Sequence, residues 1–294
     1  MNGLIIVNAY NETPQVRHQI SRLKEEFSLL NVDISVVKND QNLIYIKDGK
    51  TVINFKPVDF ILYLDKDRYI ASLLEKAGYR LFNRADAINI CDDKMLTHIA
   101  LINAGIKMPT TISSPLVYSP NFNDNHLLEV EKVLSYPMII KENYGSLGMQ
   151  VYLVNNHEEA KELTRKIAQK PHIFQEFIAS SKGLDYRLIV INHKVIAVME
   201  RKNEHSYLSN LASGGSAFKI DLPKEYLDMA IKASEILGLD YCGVDILKGY
   251  NNEPVLSEVN SNAFFEGIEK TTGINVARAY AEYIVSRVKE DERN

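Results

Sequence analysis

Residues 257–270 read SEVNSNAFFEGIEK: an apolar strand ends on Glu258 and Asn260 and passes at once into a loop of small and aromatic residues. Side chains alternate across a strand with period two, so these two polar groups project from one face and can share a ligand, a divalent cation first of all. On this stretch alone an Asx-type turn is the simpler account, with Asn260 bonding its own backbone and Glu258 in water. Asp245, in the neighbouring run YCGVDILKG, shifts the balance. The segment NNEP between the two runs is a short turn, so they pair antiparallel and their polar residues converge. Asp245, Glu258 and Asn260 then offer three oxygen donors among apolar strand residues. Such a set suits hard Mg²⁺, with Mn²⁺ as its substitute, and an ion of this kind shares substrate phosphates.

A metal of that kind directs attention to cations and glycines elsewhere. Lys141 closes the apolar run PMIIK just before ENYGSLG, where a GxxG loop brings backbone amides near the same anion that a lysine would meet. The alternative is an edge lysine that snorkels beside an ordinary turn. Lys94 follows Asp92-Asp93 at the start of a helix read as DDKMLTHIALINAGIKMP, whose first amides favour anions, with Asp93 as its cap. The run HIFQEFIASSKGLDYRLIV has the character of a hinge: strand, small polar link, strand. Backbone groups of Glu176 to Ile178 are placed to bond a purine edge and Asp185 to accept from ribose, although periodicity by itself gives only core strand and linker.

The rest of the chain is ordinary for a soluble α/β protein. At 294 residues it is long enough for two domains, or one built of several lobes, and 46% hydrophobic with 24% charged residues provides for a core. A formal charge of −4 gives no overall attraction to nucleic acid. Cys91 and Cys242 stand alone, which fits a reducing cytoplasm and excludes a CxxC zinc site or disulfide framework. No run reaches the ~20 apolar residues of a membrane helix, and LIIVNAY is too short for a signal peptide. The first part alternates strand and helix: GLIIVNAY, a helix from Pro14 to Leu30, VDISVVKN, a hairpin turning on Asp48-Gly49, VDFILYL, and a helix stopped by Gly78. After the helix at Asp92 comes a loop rich in Ser, Pro and Asn, then strands and one helix up to IFQEFI. Longer strands, a Gly-Gly turn, the helix KEYLDMAIKASEILG, two strands and a terminal helix from about Asn275 complete the chain.

In order, DDKMLTHIALINAGIKMP, PMIIKENYGSLGMQVYLV, FQEFI, GLDYRLIVINHKVIAVMER, SNLASGG, GVDIL and SEVNSNAFFEGIEKTTGINVA resemble the ATP-grasp ligases, and most closely the RimK-like branch. The resemblance runs over residues 90 to 285 or so. It implies an α/β (α+β) ATP-grasp fold: a small pre-ATP-grasp lobe over 1–90, a central lobe over 91–180 and a C-terminal lobe with the metal site over 181–294. It places Lys94 and Lys141 on the phosphates of ATP and Ser146, with its flanking glycines, in the loop over them. Glu176, Phe177 and Ile178 fall at the adenine, Asp185 at the ribose, and Asn210 by the phosphates and metal. Arg187 and Arg201 would face the transferred phosphoryl group or an acyl phosphate, and Asp245, Glu258 and Asn260 match Mg²⁺ ligands.

The implied activity is that of a cytoplasmic, homo-oligomeric carboxylate–amine ligase, which adds an amino acid such as glutamate to a peptide, protein or small-molecule acceptor through an acyl phosphate. An ATP-grasp kinase and a non-catalytic ATP-binding module are the alternatives. Neither nucleic acid nor membrane is an expected partner. The chain departs from its implied relatives in two places: Leu208 and Ser213 stand where they carry arginines, and FILYLDKD lacks their Pro-Arg pair. Both departures bear on the carboxylate substrate and leave the ATP machinery untouched.

Overall fold

Among the described residues four sheets account for the strand pattern. A computed structural model describes residues 1–119, 123–146, 148–211, 214–291 and 293. Strands β1 (Asn2–Val7), β2 (Asp33–Lys38), β5 (Phe60–Leu64) and β6 (Leu81–Phe82) form a parallel sheet in the order β2-β1-β5-β6. Helices α1 (Pro14–Leu29), α2 (Arg68–Lys76) and α3 (Ala85–Asp92) belong to this part of the chain. The hairpin β3 (Ile44–Lys47) and β4 (Lys50–Ile53) turns on Asp48 and Gly49, whose φ angles of 50° and 72° are those a two-residue type I′ turn requires.

Helix α4 (Lys94–Ala100) leads to an antiparallel sheet of β7 (Thr111–Ser113), β8 (Met138–Glu142), β9 (Val151–Val154) and β10 (His172–Glu176), in the order β7-β10-β8-β9, with α5 (Asn125–Val130) and α6 (His157–Lys166) between its strands. A short 3₁₀ turn at Ala179–Ser181 enters the last sheet. That sheet comprises β11 (Leu184–Ile191), β12 (Lys194–Lys202), β13 (Ser216–Lys219), β14 (Tyr241–Lys248) and β15 (Pro254–Asn260), ordered β13-β12-β11-β14-β15. Helix α7 (Lys224–Ile236) precedes β14, and α8 (Glu266–Thr272) and α9 (Val276–Asp291) end the fold.

Three sequence expectations change here. The helix read from Asp92 begins at Lys94 and ends at Ala100, short of Gly105 and Pro109, and Asp92 instead closes a separate helix, α3; between them Asp93 takes an extended backbone (φ −97°, ψ 113°) from which its carboxylate accepts the amides of Met95 and Leu96. Asp93 is therefore a cap, as expected, but of a helix that starts at Lys94, two residues later than read. The loop expected after Asn260 contains α8, and the Ser/Pro/Asn-rich loop contains β7 and α5. These elements span three to seven residues, too few for a period of 2 or 3.6 to declare itself.

The C-terminal helix returns to the first sheet. Ile5, Phe27, Phe60 and Phe82 share one buried cluster with Ile189, Tyr241 and, from α9, Tyr280 and Ile284. Tyr241 and Tyr280 stack with ring centroids 4.6 Å apart. Asn83, 2% exposed, ties the same regions by polar contacts: its amide donates to the carbonyls of Tyr241 and Ser261 at 2.8 Å and accepts from the Tyr241 N–H at 2.9 Å. Asn83→Ala strands these buried backbone groups, and we expect it to lower unfolding free energy by about 2 to 4 kcal/mol in urea titrations. Among the described residues no helix is long and apolar enough to cross a membrane.

Candidate functional site

Strand register builds the site. On the C-terminal sheet Asp185 lies opposite Arg201, Arg187 opposite Asp245, Asp245 opposite Glu258, and Gly243 opposite Asn260. Residues directly opposite share a face, as do residues two apart, so Asp185, Arg187, Arg201, Asp245, Glu258 and Asn260 all stand on one face. A bulge at Asp245/Ile246 inserts Ser257, so that β15 presents both Ser257 and Glu258 to that face. All these residues line one cavity of about 840 Å³, which Lys141, Ser146, Glu176, Phe177, Ile178 and Asn210 line as well.

The cavity floor is a ladder of charges. Arg187 forks onto Asp245, with Nη2 2.6 Å from Oδ2 and Nε on Oδ1. Arg201, 4% exposed, forks onto Asp185, Nε to Oδ1 at 2.7 Å, and its Nη2 stands 3.1 Å from Asp245. Burial works against the charge on Asp245, but Arg187 and Arg201 outweigh it and hold the carboxyl below the ordinary range, so it is ionised. Burial likewise opposes the Arg201 charge, and Asp245 and Asp185 more than restore it. Asp185, assigned by resemblance to ribose, is thus the partner of Arg201 in this structure, and both arginines are held on carboxylates.

Lys141 and Lys94 complete the positive side. Lys141 on β8 is 9% exposed, and burial is the main influence that pushes its ammonium down to about 8; Glu258 acts the other way. Lys94, the first residue of α4, has its Nζ 3.8 Å from Glu258 and donates to the Asn143 carbonyl at 3.4 Å. It is not among the residues that line the cavity. Ser146 donates its N–H to Gln150 Oε1, and Gly145 (φ 154°) and Gly148 (φ 76°) give this loop backbone angles that side chains resist. A Cβ at Gly148 would sit 3.2 Å from Asn210 Oδ1, so the loop lies against Asn210. Leu147, inside the loop, and Ser213 lie outside the described residues. At the hinge, the Glu176 N–H is taken by the Thr110 carbonyl, and the Glu176 carboxylate accepts from Thr110 N and Oγ1.

Two carboxylates and an amide, rather than three acids, form the expected metal set; among the described residues no three His, Cys, Asp or Glu side chains cluster as ligands. The donors still fit a hard cation: all are oxygens, brought together by register, and Asp245 is ionised. Asn260 Nδ2 is buried without a hydrogen-bond partner among the described residues.

Sequence reasoning missed the far wall of the cavity, where Asn8, Asp65 and Lys66 stand just beyond β1 and β5. Asn8 and Asn39 donate to Asp65, and Lys66 pairs with Asp92 at 2.8 Å. Adjacent parallel strands whose successors lie on opposite sides make a crevice at their carboxyl ends, a signal legible only once the order β2-β1-β5-β6 is known.

A family model described as the RimK-like ATP-grasp domain matches residues 91–284. The human beta-citrylglutamate synthase B is 32% identical over 224 residues, which cover 76% of this chain; the chain spans 57% of that protein's length. A probable alpha-L-glutamate ligase of Maridesulfovibrio salexigens is 36% identical over 213 residues, 71% of this chain and 68% of that protein. The crystal structure of D-alanine–D-alanine ligase from Bacillus anthracis complexed with ATP superposes with a TM-score of 0.75 at 19% identity, covering 99% of each chain, and shares the fold.

Proposed function

The chain belongs to the RimK-like ATP-grasp family, and on that premise we propose that it is an ATP-dependent carboxylate–amine ligase that joins an amino acid such as glutamate to a peptide, protein or small-molecule acceptor. The observation that carries this reading is the register that sets Arg187, Arg201, Asp245, Glu258 and Asn260 on one face of the cavity that Lys141 also lines. The names of two relatives, a glutamate ligase and a citrylglutamate synthase, support glutamate as the amino acid. In this reading residues 1–90, 91–180 and 181–294 act as the pre-ATP-grasp, central and C-terminal lobes of a cytoplasmic homo-oligomer.

A carboxylate resists nucleophiles because its negative charge repels them. Attack of one carboxylate oxygen on the γ-phosphorus of ATP breaks the bond to the β-γ bridging oxygen, releasing ADP and leaving an acyl phosphate. An unprotonated amine then adds to that carbonyl, phosphate leaves with the C–O electron pair, and the amine gives up a proton as the amide forms. Lys141 and Lys94 neutralise phosphate oxygens, and Arg187 and Arg201, held on Asp245 and Asp185, face the charge that develops on the transferred group. Glu176 to Ile178 hold the base, Asp185 the ribose, and Ser146 with Asn210 the loop that keeps the acyl phosphate from water. Asp245, Glu258 and Asn260 would hold Mg²⁺, which supplies Lewis-acid stabilisation of the phosphate oxygens.

The test is ADP release across a matrix of amino acids and peptides, with mass spectrometry of the products. A ligase releases ADP in step with product and needs both an acid and an amine. ADP release with a phosphorylated acceptor and no amine requirement identifies a kinase, and binding without turnover a regulatory module.

A further inference from the structure

At the far wall of the cavity one buried charge has no counter-ion. Asp65 follows β5 directly, is 8% exposed and lines the cavity. Among the described residues the other buried acids have evident roles: Glu26, Glu142, Asp185 and Asp245 pair with lysine or arginine, and Asp93 caps α4. Asp65 does neither. The helix that follows it is capped by Asp67, and the nearby cations are engaged elsewhere, Lys66 on Asp92 at 2.8 Å and Lys270 on Glu266 at 2.6 Å. Neutral donors hold the carboxylate instead: Asn39 Nδ2 lies 2.6 Å from Oδ2, and Asn8 Nδ2 and the Lys66 N–H lie 3.2 Å and 2.7 Å from Oδ1. The two amides cannot turn round, because Asn8 Oδ1 accepts the Tyr10 N–H and Asn39 Oδ1 the Ala9 N–H, each at 2.9 Å. A tie between strand ends requires no charge, and a buried carboxylate without a cation is costly. Burial, the largest influence, pushes this carboxyl above its ordinary range against the Lys66 N–H and Asn8, and Asp67 and Asp92 add repulsion; a cation brought in from outside relieves both.

Position narrows the ligand. Asp65 stands at the carboxyl end of β5, by the crevice between β1 and β5 where the order β2-β1-β5-β6 reverses and where open parallel sheets take their ligands. It lines the same cavity as Lys141, Arg187 and Arg201. We propose that Asp65 binds a protonated amino group on the substrate acid, so that the acid activated here is an amino acid or peptide with a free amine and not a purely anionic acid. The amine on Asp65 is not the one that attacks, because a carboxylate neighbour favours the protonated form and a nucleophile must be unprotonated. Asn8 and Asn39 are positioning residues that hold the carboxylate at the cavity wall. This inference rests on the ligase reading of the cavity, as proposed above.

The experiment uses hydroxylamine as the amine, which displaces phosphate from an acyl phosphate to give a hydroxamate, so that only the acid varies. Amino acids and dipeptides, each free and N-acetylated, are offered with ATP and Mg²⁺. For the acid it uses best, the wild type should prefer the free form by about 10- to 100-fold in kcat/KM, as expected for one hydrogen bond to a charged group. In Asp65→Asn the preference should vanish, chiefly through the KM of the acid, with the KM for ATP unchanged. A purely structural role lowers kcat/KM for both forms by one factor and leaves their ratio intact; that outcome overturns the inference alone, as does a wild type indifferent to acetylation. Hydroxamate from none of the acids overturns the ligase reading and this inference with it. Should Asp65→Asn fail to fold, the same comparison in Asp65→Ser decides, and a wild-type ratio near one overturns the proposal by itself.

Discussion

Lys141→Met should abolish ADP formation, with an expected loss of about 10³-fold or more in kcat, while the protein stays folded. The reasoning combines position with electrostatics. Lys141 emerges from β8, buried on the cavity side, where it faces the groups that would handle phosphate. Burial, the largest influence, brings its ammonium down to about 8 from an ordinary 10.5; Lys94 adds to this, and Glu258 and Asp245 oppose it. The folded protein therefore binds this proton less tightly than the unfolded chain. Between pH 8 and 10.5 the unfolded state holds more protons, so stability rises with pH across that window, and the penalty is fully present below it.

Removing the charge should therefore leave the apo protein at least as stable at pH 7, a gain that shrinks as the pH rises toward 10.5. Urea unfolding of both proteins at several pH values checks the point. Nucleotide phosphates favour the charged lysine, so binding above pH 8 should draw a proton from the buffer, and affinity should fall as pH rises. Calorimetry in buffers of different ionisation enthalpy reads that proton directly. Wild-type turnover in Lys141→Met would sink the assignment of this residue to phosphate.

Glu258→Ala carries the second large effect. It removes a carboxylate opposite Asp245 and 3.8 Å from the Lys94 ammonium. We expect turnover to drop by about 10³-fold. Manganese binding in the presence of ATP, followed by electron paramagnetic resonance, should weaken in parallel. Glu258 also raises Lys141, so the variant's lysine should titrate lower than the wild type's. The fold should hold, because the Glu258 side chain is 30% exposed and the sheet's apolar face carries the packing. Undiminished manganese affinity in this variant would remove Glu258 from the metal site.

Elements that depend on neighbours in the chain were legible without coordinates. Asp48-Gly49 specifies its turn through positive backbone angles, Gly78 stops α2 at φ 92°, and Asp93 caps a helix through its own side chain. The antiparallel pairing of β14 and β15 follows from alternation and a short turn, and it delivers Asp245 opposite Glu258. Helix α3 was not legible, because its eight residues are too few for a helical period to declare itself, although the start of α4 was read within two residues of Lys94.

The partners of the arginines were likewise hidden. Asp185 and Arg201 are 16 residues apart, Arg187 and Asp245 58, and nothing in either neighbourhood selects the other. The sequence by itself determined which residues are polar within apolar strands, and hence the face from which each projects, because side-chain alternation is a local property of an extended backbone. Only the tertiary structure decided which of them meet: strand register is set by the burial of apolar faces across long separations, and a shift of one residue would turn every one of these charges to the opposite side.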